Sequence, residues 1–301
     1  MPYARPLRVS LALLATALLI TACRAGRPSA RVTAGPVAAG AAATCFPVET
    51  LPPADRRLAE QVLLEFGDRE GLYTLAGGLK PISSDVRDVT LRVAPTLDTA
   101  AVGTLEQLRR VSAALTCGDL GVFVQVFTAT QRLRDSSEVR NTSLVLFHRG
   151  GVRRTIIAHR DFFNSLGVTP AADPREVVLA VENAPRSARW RGYGYLFGYP
   201  DAAVDFFVRA GEEGDATRTL VPRDFRRIET WHKYPAAPDG PPTLSSFVFA
   251  VPKGSDESAD ERRLRAAAAP IFSRYARERG TAIRGDSTGA ATLWRRWLAP
   301  P

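Results

Sequence analysis

The sequence predicts an α+β domain with a mainly antiparallel sheet flanked by helices, and three observations lead there. Segments that alternate apolar and polar residues come in neighbouring pairs, helical stretches are grouped between them, and no internal repeat interrupts the order. Asp55 is a candidate N-cap for a helix with Leu58, Val62 and Phe66 on one face, ending near Gly67. Gly71, Gly77, Gly78 and Pro81 then mark an irregular stretch. Asp85 to Ala94 alternates like a half-buried strand. Asp98 or Thr99 opens a second helix, with Val102, Leu105, Leu108, Ser112 and Leu115 facing inward and Gly118 as its stop.

Leu120 to Phe127 is apolar on both faces except at Gln125, so it reads as a central strand covered above and below. Ser143 to His148 and Val152 to Ile157 flank Arg149-Gly150-Gly151, the pattern of a hairpin with glycines at its turn. Phe162, Phe163 and Leu166 suggest a short helix closed by Gly167, and Asp173-Pro174 starts another that runs from Pro174 to Glu182. Tyr193 to Phe197 alternates like a strand. Gly198-Tyr199-Pro200-Asp201 turns it into a helix carrying Val204, Phe207 and Val208 and ending at Gly211. Phe225 to Lys233 and Thr243 to Val251 read as strands separated by the proline-rich Pro235 to Pro242. Ala259 to Arg279 reads as a long helix kinked at Pro270, and Leu293, Trp294, Trp297 and Leu298 as a last amphipathic turn or two.

The N-terminus carries an address. Arg5 and Arg8 precede the apolar run Leu11 to Ile20, which is too short for a stop-transfer helix, and Ile20-Thr21-Ala22-Cys23 closes it. This segment resembles the lipobox of bacterial lipoproteins. The resemblance implies cleavage before Cys23, which would then carry fatty chains such as palmitate and hold the protein on a membrane, facing the periplasm or the cell exterior. Arg24 stands where an aspartate would retain such a protein at the inner membrane, so the same resemblance favours an outer membrane where there is one. Residues 1–22 are then a signal peptide. Residues 23–44, rich in Ala, Gly, Pro, Ser and Arg, form a flexible linker, and 45–301 a single domain.

Removing residues 1–22 leaves 279 of the 301 residues and takes Arg5 and Arg8 with it, lowering the net charge from +9 to +7. The basic residues are interleaved with acids along most of the chain. That spread argues against a nucleic-acid partner and suits a solvated surface with some attraction to anionic head groups. If Cys23 carries lipid, Cys45 and Cys117 remain as an even pair in a compartment that permits a disulfide.

Candidate binding residues concentrate in Arg189 to Pro200, where glycines let a backbone approach a ligand closely and Trp190, Tyr193, Tyr195 and Tyr199 offer flat faces with polar handles. Lys80 joins them as one of three lysines beside 37 arginines, a choice that suits a compact ammonium facing a carboxylate or phosphate. Tyr195-Leu196-Phe197-Gly198-Tyr199-Pro200, then Ala203-Val204-Asp205-Phe206-Phe207, then Trp231-His232-Lys233-Tyr234, resembles the motif order of an uncharacterised bacterial domain-of-unknown-function family over about residues 140–235. That resemblance brings no activity with it. His148, His159 and His232 each fall near the end of a predicted strand and form a candidate metal site, although neither HExxH nor an i, i+4 pair is present. Gly285-Asp286-Ser287-Thr288-Gly289 fits a GxSxG nucleophile turn, yet no histidine follows Ser287. Two functions follow. The first is a lipid-anchored envelope protein that binds a small ligand or an envelope protein, with no cofactor. The alternative is an envelope hydrolase using the histidines with a metal, or Ser287.

Overall fold

A computed structural model describes residues 45–235, 243–282 and 289–299. The segment that resembles a lipobox, with Cys23, the expected linker over 23–44, Ser287 and most of the Pro235 to Pro242 loop lie outside the described residues. The fold is α+β. All described residues fall within one unit, Ala41–Pro301.

The first helix, α1 (Pro53–Asp68), starts at a proline whose missing N–H would find no partner in the first turn anyway. Asp55 therefore lies inside the helix instead of capping it. Its carboxylate accepts hydrogen bonds from Gln107 (2.8 Å) and Arg110 (3.3 Å) of α3 (Thr99–Ala114), pinning the two helices together. The expected cap of α3 is in place, with Asp98 accepting from the Ala101 N–H at 3.0 Å. Between them lie the short α2 (Leu72–Leu75) and β1 (Ile82–Ala94).

Strand β1 belongs to an antiparallel sheet with β2 (Leu120–Arg132) and β3 (Glu138–His148), in the order β1-β3-β2. The central strand is thus β3, and the expectation for Leu120 to Phe127 needs correcting: β2 is an edge strand. Its two apolar faces arise because both sides of the sheet are covered. Leu120 and Val122 enter one core, shared with α1, α3, Leu144 and Leu146, whereas Phe123 enters the other with Val145 and Phe147. Cover on both faces gives an edge strand the same apolar signature as a central one.

Two further expectations are overturned. The predicted hairpin at Arg149-Gly150-Gly151 is instead the junction of β3 with α4 (Arg149–Ala158). His148 Nδ1 accepts from the Gly151 N–H (3.1 Å) and the Asp119 carboxylate from the Gly150 N–H (3.2 Å), while the Arg149 N–H donates to the Asp119 carbonyl (2.8 Å), so the free amides of the first turn are all capped. Val152 and Ile156 are both buried in the second core, where their i, i+4 spacing suits a helix better than a strand. The predicted strand Tyr193 to Phe197 is the end of α7 (Arg186–Leu196). Gly192 and Gly194 decide this. A Cβ at the first would stand 2.8 Å from Val181 of α6 (Pro174–Glu182), and at the second 2.7 Å from Val204 of α8 (Asp201–Thr217). The glycines permit close helix packing, and their alternation with aromatics imitates a strand.

Helix α8 also runs past Gly211, its predicted end, to Thr217. A Cβ at Gly211 would collide with the Trp190 ring, so this glycine serves packing rather than termination. The short α5 (Arg160–Ser165) precedes α6, which starts at Asp173-Pro174 as the sequence expects and adds a capping box that joins Asp173 to Glu176. Strands β4 (Arg223–Pro235) and β5 (Thr243–Pro252) form a separate antiparallel pair. Helix α9 (Ala259–Ala282) continues through Pro270, and α10 (Ala290–Leu298) closes the first core: Trp294 is fully buried, stacks on Tyr275 and donates to the Leu63 carbonyl at 3.2 Å. Arg295 reaches back to the carbonyl of Cys45 (2.8 Å) and to Glu49 (2.6 Å). Cys45 and Cys117 are joined by a disulfide.

Candidate functional site

Helices α7 and α8, the pair β4–β5 and the three-stranded sheet meet around a cavity of about 440 Å³. Each element delivers rings for a local reason. Trp190 and Tyr193, three residues apart, share one side of α7, and Ala203, Val204 and Phe207 share one side of α8. Between the helices, Gly198 takes a φ of +70° and turns the chain so that Phe197 and Tyr199 both face inward. Strand β5 contributes Val248, Phe249 and Ala250, β4 contributes Phe225, and the sheet contributes Ser84 and Phe127. Eight of the lining residues are aromatic. Such a surface favours flat or branched apolar matter over anything charged.

The polar handles point elsewhere. Tyr193 donates its hydroxyl proton to Glu182 Oε2 at 2.8 Å, and burial, with the Glu182 charge next in weight, raises its ionisation well above the usual phenol range. Glu182 is 3% exposed and also accepts from the Thr128 N–H (2.9 Å) and hydroxyl (2.7 Å), while Arg189 stands 3.6 Å away. This network lies on a second, polar recess of about 510 Å³, lined by Asp88, Thr90, Gln131 and Asn141 among others. Phe127, Trp190 and Tyr193 line both cavities.

Of the residues singled out in the sequence, Trp190, Tyr193 and Tyr199 line the apolar cavity, but Tyr195 does not. Two residues along a helix rotate a side chain to a different face. Tyr195 stacks on His159, with ring centroids 3.7 Å apart, and its hydroxyl accepts from Arg191 at 3.1 Å. Lys80 sits behind the cavity wall. It is fully buried, its Nζ is 2.9 Å from Glu70 Oε2, and it approaches the rings of Phe247 (4.2 Å), Phe197 (5.0 Å) and Tyr199 (5.2 Å). The ammonium does face a carboxylate, and its role there is to hold the turn that carries Phe197 and Tyr199. Sequence reasoning missed Phe127, Phe225, Phe249 and Glu182 as site residues. Nothing in their local pattern separates them from core residues.

The histidines occupy three different settings. His148 caps α4, His159 lies between Tyr195 and Asp201 (3.5 Å), and His232 is on β4. Among the described residues no three His, Cys, Asp or Glu side chains are grouped to hold a metal ion, so the candidate His148, His159 and His232 site is not assembled there. His148 and His159 are held below the ordinary histidine value of 6.5, in each case by burial first, with Asp119 and Asp201 pulling in the opposite direction. The unfolded chain therefore binds protons more readily than the fold, and stability should fall as pH drops below about 6.5. His148→Asn keeps a capping acceptor that does not titrate, so urea unfolding at about pH 7 and about pH 5.5 should show a smaller loss than the wild type. An unchanged loss would mean that the His148 cap does not report pH.

Compared with protein-family models, with curated proteins and with solved structures, the chain finds no significant match in any of the three.

Proposed function

We propose that the protein is a lipid-anchored component of the cell envelope, held on a membrane through acylated Cys23, whose α+β domain binds a small, mainly apolar ligand without turnover. The observation that carries the binding reading is the aromatic cavity of about 440 Å³, a volume in the range of small-molecule sites, walled by rings from α7, α8, β5 and the turn between the helices. The resemblance of Ile20-Thr21-Ala22-Cys23 to a lipobox supports the address, and the disulfide between Cys45 and Cys117 suits a compartment outside the reducing cytosol. Among the described residues no helix is long and apolar enough to cross a membrane. The hydrolase alternative has no assembled histidine site to support it among the described residues, and Ser287 lies outside them.

Replacing Cys23 by serine should move the protein from the membrane to the soluble fraction and abolish incorporation of labelled palmitate. Soluble wild-type protein that takes up no label would refute the anchor. Native mass spectrometry of protein purified without denaturant should then show one small apolar molecule released on unfolding. Protein from several expression hosts that never carries or takes up such a molecule would count against the cavity's role.

A further inference from the structure

The two cavities share a wall, and the second adds polar and charged residues to it. A ligand longer than the aromatic cavity would reach the recess past the rim of Phe127, Trp190 and Tyr193, and its far end would meet the charges there. Three charged groups line that recess. Glu182 and Arg189 offset one another, the guanidinium standing 3.6 Å from a carboxylate already filled by Thr128 and Tyr193. Asp88 forms no ion pair among the described residues, so the recess keeps one uncompensated negative charge. A ligand that carries a charge into this recess is favoured as a cation, beside Asp88. Thr90, Gln131 and Asn141 add hydroxyl and amide groups that can accept from an ammonium or a hydroxyl.

We propose that the ligand is a cationic amphiphile, with an apolar body among the rings of Trp190, Phe207 and Phe249 and an amine in the recess at Asp88. The inference rests on the reading of the aromatic cavity as the binding site and adds the chemical class of what enters it. An anionic head group would meet the like charge of the exposed Asp88, and a wholly apolar ligand would leave the recess unused.

The test compares three probes with one apolar body: naphthylethylamine, naphthylethanol and naphthylacetate. Equilibrium dialysis at low salt would use the full-length protein in lipid nanodiscs, with empty nanodiscs as the blank. The amine should bind about fivefold more tightly than the alcohol and the carboxylate about fivefold more weakly, the scale of a single partly exposed charge contact. Asp88→Asn should bring the amine down to the alcohol's affinity, and raising the salt should do the same in the wild type. A carboxylate that binds as tightly as the amine, or an order untouched by Asp88→Asn, would overturn the cationic assignment. The uncharged phenylnaphthylamine separates the two levels: if it binds while the series shows no order, only the charge inference fails, and if neither it nor any of the three binds, the cavity reading fails with it.

Discussion

Lys80→Met is expected to destabilise the fold by about 3–5 kcal/mol, because it leaves the Glu70 carboxylate buried without its ammonium. The Lys80 side chain is 0% exposed and that of Glu70 only 10% exposed, so water cannot take over the lost contact. The ammonium also faces three rings, Phe247 at 4.2 Å being the nearest. Those contacts tie β5 to the turn bearing Phe197 and Tyr199, so the loss extends to the cavity wall. A double variant, Lys80→Met with Glu70→Gln, removes both charges and should recover at least half of the stability. Urea unfolding of wild type, both single variants and the double variant measures the coupling. A single-variant loss below about 1 kcal/mol, or a double variant no better than Lys80→Met, would show that the pair does not hold this wall.

Replacing Cys45 and Cys117 together by alanine is the second large change. The bridge spans 72 residues of sequence, and on the chain-entropy model closing such a loop restricts the unfolded chain by about 4 kcal/mol. The folded state has independent means of keeping this region in place: the Phe46 N–H donates to the Thr116 carbonyl at 2.8 Å, and Arg295 holds the carbonyl of Cys45. The double variant should therefore fold to the same structure with a lower unfolding midpoint, losing about 2–4 kcal/mol. Wild-type protein denatured without reductant should expose neither Cys45 nor Cys117 to a thiol reagent. Two reactive thiols from that pair, or a variant as stable as the wild type, would refute the bridge.

How much of this was legible in the sequence depended on whether the signal was local. The α6 start at Asp173-Pro174, the Asp98 cap and the positive φ at Gly167 are decided within a few residues, and the sequence carries them plainly. Where glycine serves a distant neighbour, the reading misleads. Gly192, Gly194 and Gly211 make room for Val181, Val204 and Trp190, so the first two imitate a strand and the third a helix stop. At His148 the competing partner is also remote, since Asp119, 31 residues from Gly150, helps to convert an expected hairpin into a helix start. The site divides along the same line. Trp190, Tyr193 and Tyr199 stood out by composition, whereas Phe225 and Phe249 reach the cavity through strand pairing that no local pattern announces. Tyr195 was misplaced because the period assigned to its segment was two instead of 3.6.

A fluorescence titration with phenylnaphthylamine tests most directly whether the aromatic cavity admits an apolar ligand. Val248, half-buried on β5, lines the cavity, and tryptophan is well tolerated in a strand, so Val248→Trp fills the space with little disturbance to the fold. Wild-type protein should brighten the probe in a saturable, one-site titration, and Val248→Trp, with an unchanged unfolding midpoint, should weaken that binding by at least about tenfold, the loss of roughly 1.4 kcal/mol. Equal titrations of the two proteins, or no saturable binding by the wild type, would contradict the account.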